Sequence, residues 1–350
     1  MPSPMQRGMQ VIGRAAVPSG ALSAFVDQAA SSNWYHTAAW LASLHAGFGY
    51  RDVSLVATVG GDVVGFLPMM ERRDLRGRLE LVALPFSHRV PVLALDVHAC
   101  HALTESASRL TNTLVVRDEV PMADTGTPVD SGAVAALLEL RDGYHAASSQ
   151  FSSMARRGVR KAEREHVRAA LATRPTEVDQ FYELLVETRR RQGVPIYPRR
   201  FFHELWKTVG SGDSQLWLAR HRNNVIAGLW LLLSHGHALY AFGASRSAQE
   251  VLRLRPNNLL FDRVIATLCE AGYEQLDLGS AHRGNTGLIA FKQGWGAKLA
   301  PIRWRAWTRR ESFAPPTRAG LSYRAASSIF RSAPLPLYRL LSSLIIAHVG

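Results

Sequence analysis

Two stretches of this sequence share one pattern: LVATVGGDVVGFL, from Leu55 to Leu67, and WLARHRNNVIAGLW, from Trp217 to Trp230. Each has two runs of apolar and β-branched residues around a short polar turn, which predicts a β-hairpin. At an offset of 162 residues, about half of the 350-residue chain, Asp62 matches Asn224. The pattern leaves two alternatives: a duplicated fold, or two unrelated hairpins that look alike.

Strand and helix patterns alternate around the second hairpin. We predict a helix over Thr176–Gln192 before it, begun by a capping box of Thr176 and Asp179. After it we predict a strand over Ala238–Gly243, a helix over Asn257–Ala271 and a short strand over Gln275–Leu278. Strands that alternate with helices favour the α/β class.

The length of the chain favours two domains. We predict an N-terminal domain over residues 1–145, a C-terminal domain over residues 146–310 and a basic, amphipathic tail over residues 311–350. Apolar residues of the tail, among them Leu337 and Leu344, are spaced as one helix face. The sequence leaves two alternatives for this face: a peripheral membrane contact through residues 330–350, or docking on the protein body.

Charge and cysteine content exclude several classes of protein. The 41 Lys and Arg against 28 Asp and Glu give a net charge of +13, which favours acidic partners such as phosphates, nucleic acid or anionic lipid. Cys100 and Cys269 are too few for a disulfide framework or a Cys-rich zinc site. The histidines lack metal-ligand spacing, so we predict no metal site.

The sequence also bears on location. The first 20 residues have no apolar core of a secretory signal. No apolar run reaches the roughly 20 residues needed to cross a bilayer. We therefore expect a cytoplasmic protein, with the tail as the candidate for contact with the inner face of the cell membrane.

A segment near the C-terminus resembles a known family. It contains Asp277-Leu278-Gly279, a Gly/Thr loop over 284–287, and FKQGWGA from Phe291 to Ala297. This is similar to the C-terminal signature of FemAB-like acyltransferases of the GNAT superfamily. FSSMARRGVRKAEREHV, from Phe151 to Val167, resembles the basic helix of that family, with His166 in place of its usual Gly. NWYHTAAWL, from Asn33, resembles the helix that opens its first domain.

The resemblance covers about residues 30–308 and implies two tandem GNAT-like (acyl-CoA N-acyltransferase) domains with mixed central sheets. It implies acyl transfer to an amine or hydroxyl, with no permanently bound cofactor. The donor substrate would be acyl-CoA or aminoacyl-tRNA, the latter being the donor of FemAB relatives proper. The tail resembles a subgroup associated with exopolysaccharide and exosortase gene clusters, which implies a saccharide or peptidoglycan-type acceptor.

Lys292 is the first candidate catalytic residue. In acyl transfer a tetrahedral intermediate develops a negative oxygen, and a cation directed at it stabilises it by about 3–4 kcal/mol. Phe291 and Trp295 flank Lys292 and can exclude water, and we place both among the substrate-binding residues. Asp277 is the second candidate, either as a general base or orienter, or as a residue that caps the following turn.

Further binding residues are predicted around these two. Arg156 with Arg160, and Arg157 with Lys161, share helix faces that could hold a diphosphate, a tRNA backbone or an acidic saccharide. The alternative is a solvated face balanced by the acidic residues of the same helix. The other predicted contacts are the conformationally free Gly287 and three residues near element ends, Tyr240, Arg246 and Asn257.

Four functions remain open from the sequence. They are a FemAB-like acyltransferase on a cell-envelope or exopolysaccharide precursor, an acyl-CoA-dependent GNAT enzyme on a small amine, a nucleic-acid-binding protein, and a non-catalytic membrane-associated scaffold. We do not expect specific DNA binding, because no aromatic residues are interleaved with the basic cluster and no DNA-binding motif is recognised.

Overall fold

The structure, a computed structural model, describes residues 8–111, 113–117, 126–308 and 321–348. These residues form two compact units. The first consists of residues up to Gly132, residues 302–308 and residues 347–348. The second consists of residues 133–301 and 321–346.

The division differs from the predicted boundary after residue 145. Residues 133–139 belong to the second unit because they pair there with a strand that begins at Gln275. The first part of the predicted tail, residues 311–320, lies outside the described residues. From Leu321 the tail is helical, and its residues up to Ile346 belong to the second unit. None of the described helices is both long and apolar enough to span a bilayer.

The first unit contains eight strands and three α-helices in its described residues. They are β1 (Met9–Gly13), α1 (Ser19–Gln28), α2 (Ala38–Phe48), β2 (Arg51–Asp52), β3 (Leu55–Val59), β4 (Asp62–Leu67), β5 (Met70–Arg73), β6 (Leu79–Val82), β7 (Leu93–Ala94), α3 (Val97–Leu110) and β8 (Thr113–Val116). Short 3-10 turns occupy Arg14–Ala16, Trp34–His36 and Ile346–His348. One sheet has the order β1-β3-β4-β7, and α3 packs on it through Leu103 and Ala107.

The second unit comes next along the chain, and its first and last strands each have residues in both units. Its elements are β9 (Thr127–Glu139), α4 (Gly143–Ser149), α5 (Ser153–Arg164), β10 (Arg168–Leu171), α6 (Thr176–Gln192), α7 (Arg199–Trp206), β11 (Ser214–His221), β12 (Asn224–Ser234), β13 (His237–Ser245), α8 (Gln249–Arg253), α9 (Pro256–Glu270), β14 (Gln275–His282), α10 (Thr286–Gln293), β15 (Lys298–Thr308), α11 (Leu321–Ser332) and α12 (Leu335–Ile345).

The two predicted hairpins form with the same register. Each of the five pairs in β3–β4 recurs in β11–β12, 162 residues later. Both hairpins have a β-bulge at the same place, after Ala57 and after Ala219. The preceding strands also match, because Leu55 and Trp217 each pair with the last residue of β1 and β10, respectively. A shared register with a shared bulge favours two copies of one motif over chance similarity.

The sheet of the second unit lies between two groups of helices. Its strand order is β10-β11-β12-β13-β14-β9, and only β13 and β14 pair in parallel. Leu229 and Leu231 pack towards α4, α5 and α9. Trp230, on the opposite face, contacts Phe181 of α6 and Phe202 of α7. The predicted α/β class with a mixed sheet is confirmed.

The start of α6 corrects a local prediction. The helix spans Thr176–Gln192 as predicted, but the capping box is wrong, since Pro175 is the N-cap and no side chain caps it. Instead, the buried Glu177 carboxylate accepts the N–H groups of Thr173 at 2.8 Å and Arg174 at 2.9 Å. These bonds satisfy the backbone donors that a capping box would otherwise serve.

Candidate active site around Lys292

β13 and β14 lie side by side only at their beginnings. They pair over three residue pairs, the last of which joins Leu239 to Asp277. β13 continues to Ser245 and β14 to His282. Beyond the last pair, no strand among the described residues pairs with the facing edges of these two strands. The strands therefore part in the middle of the sheet, which leaves backbone groups between them.

Lys292 lies where the strands part. Its Nζ donates to the carbonyl oxygens of Gly279 at 2.7 Å and Ser280 at 3.0 Å. The side chain is buried, with 4% of its surface exposed. Burial lowers the Lys292 pKa from 10.5 to about 8, although the Asp277 carboxylate partly opposes this. An ammonium has three donors, and within the described chain the third has no acceptor.

Aromatic rings cover Lys292 from the α9 side. Phe261 of α9 stacks on Trp295 with ring centroids 5.5 Å apart, and it meets Phe291 edge-on at 5.4 Å. Trp295 is fully buried, whereas Phe291 is 37% exposed. The wall thus keeps water from one side of the ammonium and reaches the surface at Phe291. Such a setting strengthens the electrostatic field of a cation.

Asp277 holds the bend of β14. Its Oδ1 accepts the N–H of Gly279 at 2.7 Å, and the register with β9 shifts at this point. Gly279 has φ +76°, and a Cβ there would lie 3.2 Å from the Tyr240 carbonyl oxygen and 3.9 Å from Lys292 Nζ. This contact corresponds to the turn-capping alternative for Asp277. It turns two carbonyls towards Lys292.

Tyr240 faces the same region from β13. Its ring meets Phe261 edge-on at 5.0 Å and covers Gly243, where a Cβ would overlap the phenol oxygen. Burial raises the Tyr240 pKa to about 12. Its hydroxyl has no hydrogen-bond partner in the described part of the chain.

The basic helix α5 is tied to the Lys292 segment. The Ser152 N–H donates to the Gly294 carbonyl oxygen at 2.8 Å, and the Ser152 side chain caps α5. Arg157 and Arg160 are exposed, and Lys161 is half-buried. None of these three cations forms an ion pair with a carboxylate in the described chain.

The other charges of α5 have partners. Arg156 reaches the Ser149 carbonyl oxygen at 3.4 Å. Glu163, one of the acidic residues expected to balance the basic face, pairs instead with Arg263 of α9 at 2.5 Å. The acidic residue is therefore directed towards α9, and the cations remain available to an anion.

Three predicted binding residues lie apart from Lys292 or show no contact with it. Arg246 pairs with Glu187 of α6 at 3.4 Å, and α6 packs on the other face of the sheet. Asn257 is half-buried in the first turn of α9. Gly287 is exposed in the first turn of α10, and a Cβ there would meet no atom within 4 Å. In the described ranges no cluster of three or more His, Cys, Asp or Glu could hold a metal ion.

A family model described as an acetyltransferase (GNAT) domain matches residues 149–293. The second unit of this chain carries a GNAT acetyltransferase domain. The matched residues begin before α5 and end directly after Lys292, so they contain most of the geometry described above. The chain is therefore an acyltransferase, and its GNAT domain takes the acyl group from a donor substrate such as acyl-CoA.

Solved structures resemble this chain over most of its length. FemX superposes with a TM-score of 0.65 at 13% identity, over 84% of this chain and 96% of FemX. The C-terminal domain of a protein assigned as a lysylphosphatidylglycerol synthetase, from Agrobacterium fabrum, gives 0.53 at 13%, over 82% and 91%. A protein of unknown function from Bacteroides thetaiotaomicron gives 0.53 at 11%, over 83% and 97%. These likenesses extend the GNAT fold prediction to both units and confirm it.

No curated protein matched the sequence.

Sequence reasoning missed several residues of the site. Phe261 is hidden in an ordinary apolar helix pattern, and Ser280 contributes only a backbone carbonyl, for which no sequence signal exists. Gly158 of α5 was recognisable, because a glycine inside a helix often marks a close contact. A Cβ there would lie 2.5 Å from the Asn258 side chain of α9.

Proposed function

We propose that this GNAT enzyme transfers an aminoacyl or acyl group to an amine or hydroxyl of a cell-envelope or exopolysaccharide precursor. The acceptor attacks the acyl carbonyl carbon, and the C–O or C–S bond to the donor breaks as the intermediate collapses. The proton released by the acceptor passes to the leaving group or to solvent. In this proposal Lys292 stabilises the oxyanion of the intermediate.

The observation that supports the Lys292 role most is its arrangement where β13 and β14 part. Two backbone carbonyls hold the ammonium in place, and its remaining donor is available to a substrate oxygen. A pre-oriented cation in a water-poor site needs no reorganisation during the reaction. Asp277 acts as a positioning residue, because it holds the bend that presents these carbonyls.

The donor class is supported by the parted strands and the basic helix. Unpaired strand edges can accept an extended amide-bearing arm through main-chain hydrogen bonds, as in β-strand addition. Arg157, Arg160 and Lys161 supply cations for the phosphates of CoA or of tRNA. The GNAT description of the matched domain favours acyl-CoA, which is the second candidate donor beside aminoacyl-tRNA.

The acceptor class and the location rest on other support. One structural neighbour is, by name, a synthetase of lysylphosphatidylglycerol, an aminoacylated membrane lipid. The tail resembles that of the exopolysaccharide-associated subgroup. We therefore place the enzyme at the inner face of the cell membrane, where lipid-linked or saccharide precursors would meet it.

The first experiment measures donor binding. Calorimetry of the full chain with acetyl-CoA and with an aminoacyl-tRNA should give saturable binding for one of them. Transfer from that donor to nucleotide-linked amino sugars is then followed with a radiolabelled acyl group. Binding of neither donor would remove the proposed function.

The second experiment tests Lys292 itself. Lys292→Ala should lower kcat by about 10²–10³-fold, the usual effect of removing one oxyanion donor. Because Lys292 also holds two carbonyls, thermal unfolding is measured in parallel, and Lys292→Met serves as the uncharged control of similar length. Partial rescue of Lys292→Ala by added methylammonium would support the chemical role, since a purely structural defect should not respond. Full activity in a folded Lys292→Ala protein would refute the assignment.

A further inference from the structure

The last helix of the chain is docked by one face only. Tyr338, Ser342 and Ile346 are buried one turn apart. The Tyr338 hydroxyl donates to the Val194 carbonyl oxygen at 2.9 Å, and Ser342 Oγ accepts the Ile196 N–H at 3.1 Å. These bonds fix the rotation of α12 against the loop that comes after α6.

The opposite face of α12 is a row of exposed leucines. Leu337, Leu340 and Leu344 are 45%, 57% and 60% exposed. Their spacing of three and four residues places them on one side of the helix, directly opposite the buried residues. We call these three residues the leucine row. Docking on the body and contact with a membrane are therefore not alternatives, since each uses a different face.

The charges around the leucine row fit an anionic surface. Residues 321–348 contain three arginines and neither Asp nor Glu. Arg324 and Arg331 are exposed, while Arg339 pairs with Glu183 of α6 at 2.6 Å. Arg191, near the end of the same α6, is also exposed. An apolar helix face flanked by arginines is the pattern of helices that lie in a membrane interface.

We propose that the leucine row of α12 inserts into the interface of an anionic lipid bilayer, with the neighbouring arginines on its headgroups. This deepens the membrane location named in the proposed function and is independent of the transfer chemistry. A helix already held by its other face needs no folding on the membrane, so little ordering entropy opposes binding.

The test is co-sedimentation of the full chain with two kinds of vesicle, phosphatidylcholine alone and phosphatidylcholine with about 30% phosphatidylglycerol. The variant is Leu337→Ser/Leu340→Ser/Leu344→Ser. The matched control is Leu75→Ser/Leu95→Ser/Leu110→Ser, three first-unit leucines that are 66%, 62% and 60% exposed. Both variants change side chains that are largely in water, and thermal unfolding confirms that each is folded. A single Leu340→Glu variant provides a second probe of the same row.

We expect the wild type to bind the anionic vesicles at least about ten-fold more tightly than the neutral ones, and less tightly at high salt. The leucine-row variants should lose about ten-fold, and the control should not. Unchanged binding by the leucine-row variants, or an equal loss in the control, would overturn the proposal. So would a wild-type dimer in sedimentation velocity that the leucine-row variant dissociates, because the row would then join two copies of this chain.

Two further measurements separate this proposal from the proposed function. Lys292→Ala should bind vesicles as the wild type does. The leucine-row variant should keep its transfer rate with a water-soluble acceptor. Failure of the first proposal and failure of the second are therefore visible in different assays.

Discussion

The two hairpin motifs have the same register but different surroundings. In the first unit β4 continues into a pairing with β7, a strand of two residues. In the second unit β12 pairs with the nine-residue β13, which then parts from β14 beside Lys292. The shared part is a scaffold of three antiparallel strands. The difference lies in the neighbouring elements, since only the second hairpin adjoins a long parted strand and a buried cation.

This comparison assigns stability to the shared motif and chemistry to the added elements. The hairpins are formed by alternating apolar residues and by turns, which tolerate much sequence change. The site around Lys292 needs a bent strand, a positive φ and a helix in one place. Changes at those points should affect activity in the second unit without altering the common motif.

The largest effect should come from pH. With a Lys292 pKa of about 8, kcat should fall about ten-fold per pH unit above 8, because the neutral amine loses the charge that stabilises the oxyanion. For folding the sign is opposite. Between pH 8 and 10.5 the unfolded chain binds more protons than the native chain at this group, so its contribution to stability rises with pH. A kcat profile that instead rises through pH 8 would identify Lys292 as a base.

Gly279→Ala should have the next largest effect. A φ of +76° disfavours any Cβ, and the new methyl would approach the Tyr240 carbonyl oxygen. We expect a loss of about 1–2 kcal/mol in the free energy of unfolding and about a ten-fold loss of kcat as Lys292 shifts. Gly287→Ala is the matched control for stability, since its Cβ meets no atom and alanine favours a helix. Equal unfolding energies for the two variants would contradict the strain at Gly279.

A smaller effect is expected from the basic helix. Arg157→Ala/Arg160→Ala should raise KM for a phosphate-bearing donor about five-fold at low salt, and the difference should shrink at high salt because exposed charges are screened. The control, Arg191→Ala/Arg222→Ala, removes two exposed charges elsewhere in the second unit. If both variants raise KM alike, net charge and not the α5 site attracts the donor.

The smallest effect should come from Tyr240→Phe. The ring keeps its packing on Phe261 and Gly243, so the free energy of unfolding should change by less than about 0.5 kcal/mol. If the hydroxyl donates to substrate, KM or kcat should change about three-fold. Steady-state kinetics with the native donor measures this, and identical constants would remove Tyr240 from the binding residues.

Much of the fold was predictable because its signals are local. The bounds of α6 and the turns of both hairpins follow from residue periodicity and from glycine and asparagine positions. The domain boundary was not predictable, because it depends on β9 pairing with β14 across more than a hundred residues of sequence. The start of α6 was missed for a similar reason, since Glu177 replaces a local cap.

The candidate site divides in the same way. Lys292, Phe291 and Trp295 stand together in one short segment, so a motif could point to them. Arg246 was placed near them from its position after a strand, yet its side chain pairs with Glu187 on α6. The direction of a side chain at a strand end depends on bulges, which residue type does not reveal.

The amino-acid sequence alone determined the duplicated hairpins, the basic helix and the presence of a lysine between aromatic residues, because periodicity, charge and spacing are properties of neighbours along the chain. Only the tertiary structure decided that this lysine is buried beneath Phe261, bound to two carbonyls of a bent strand, and shifted in pKa. It also decided which face of α12 remains exposed. Burial and electrostatic environment arise from groups far apart in sequence, and they exist only once the chain has folded.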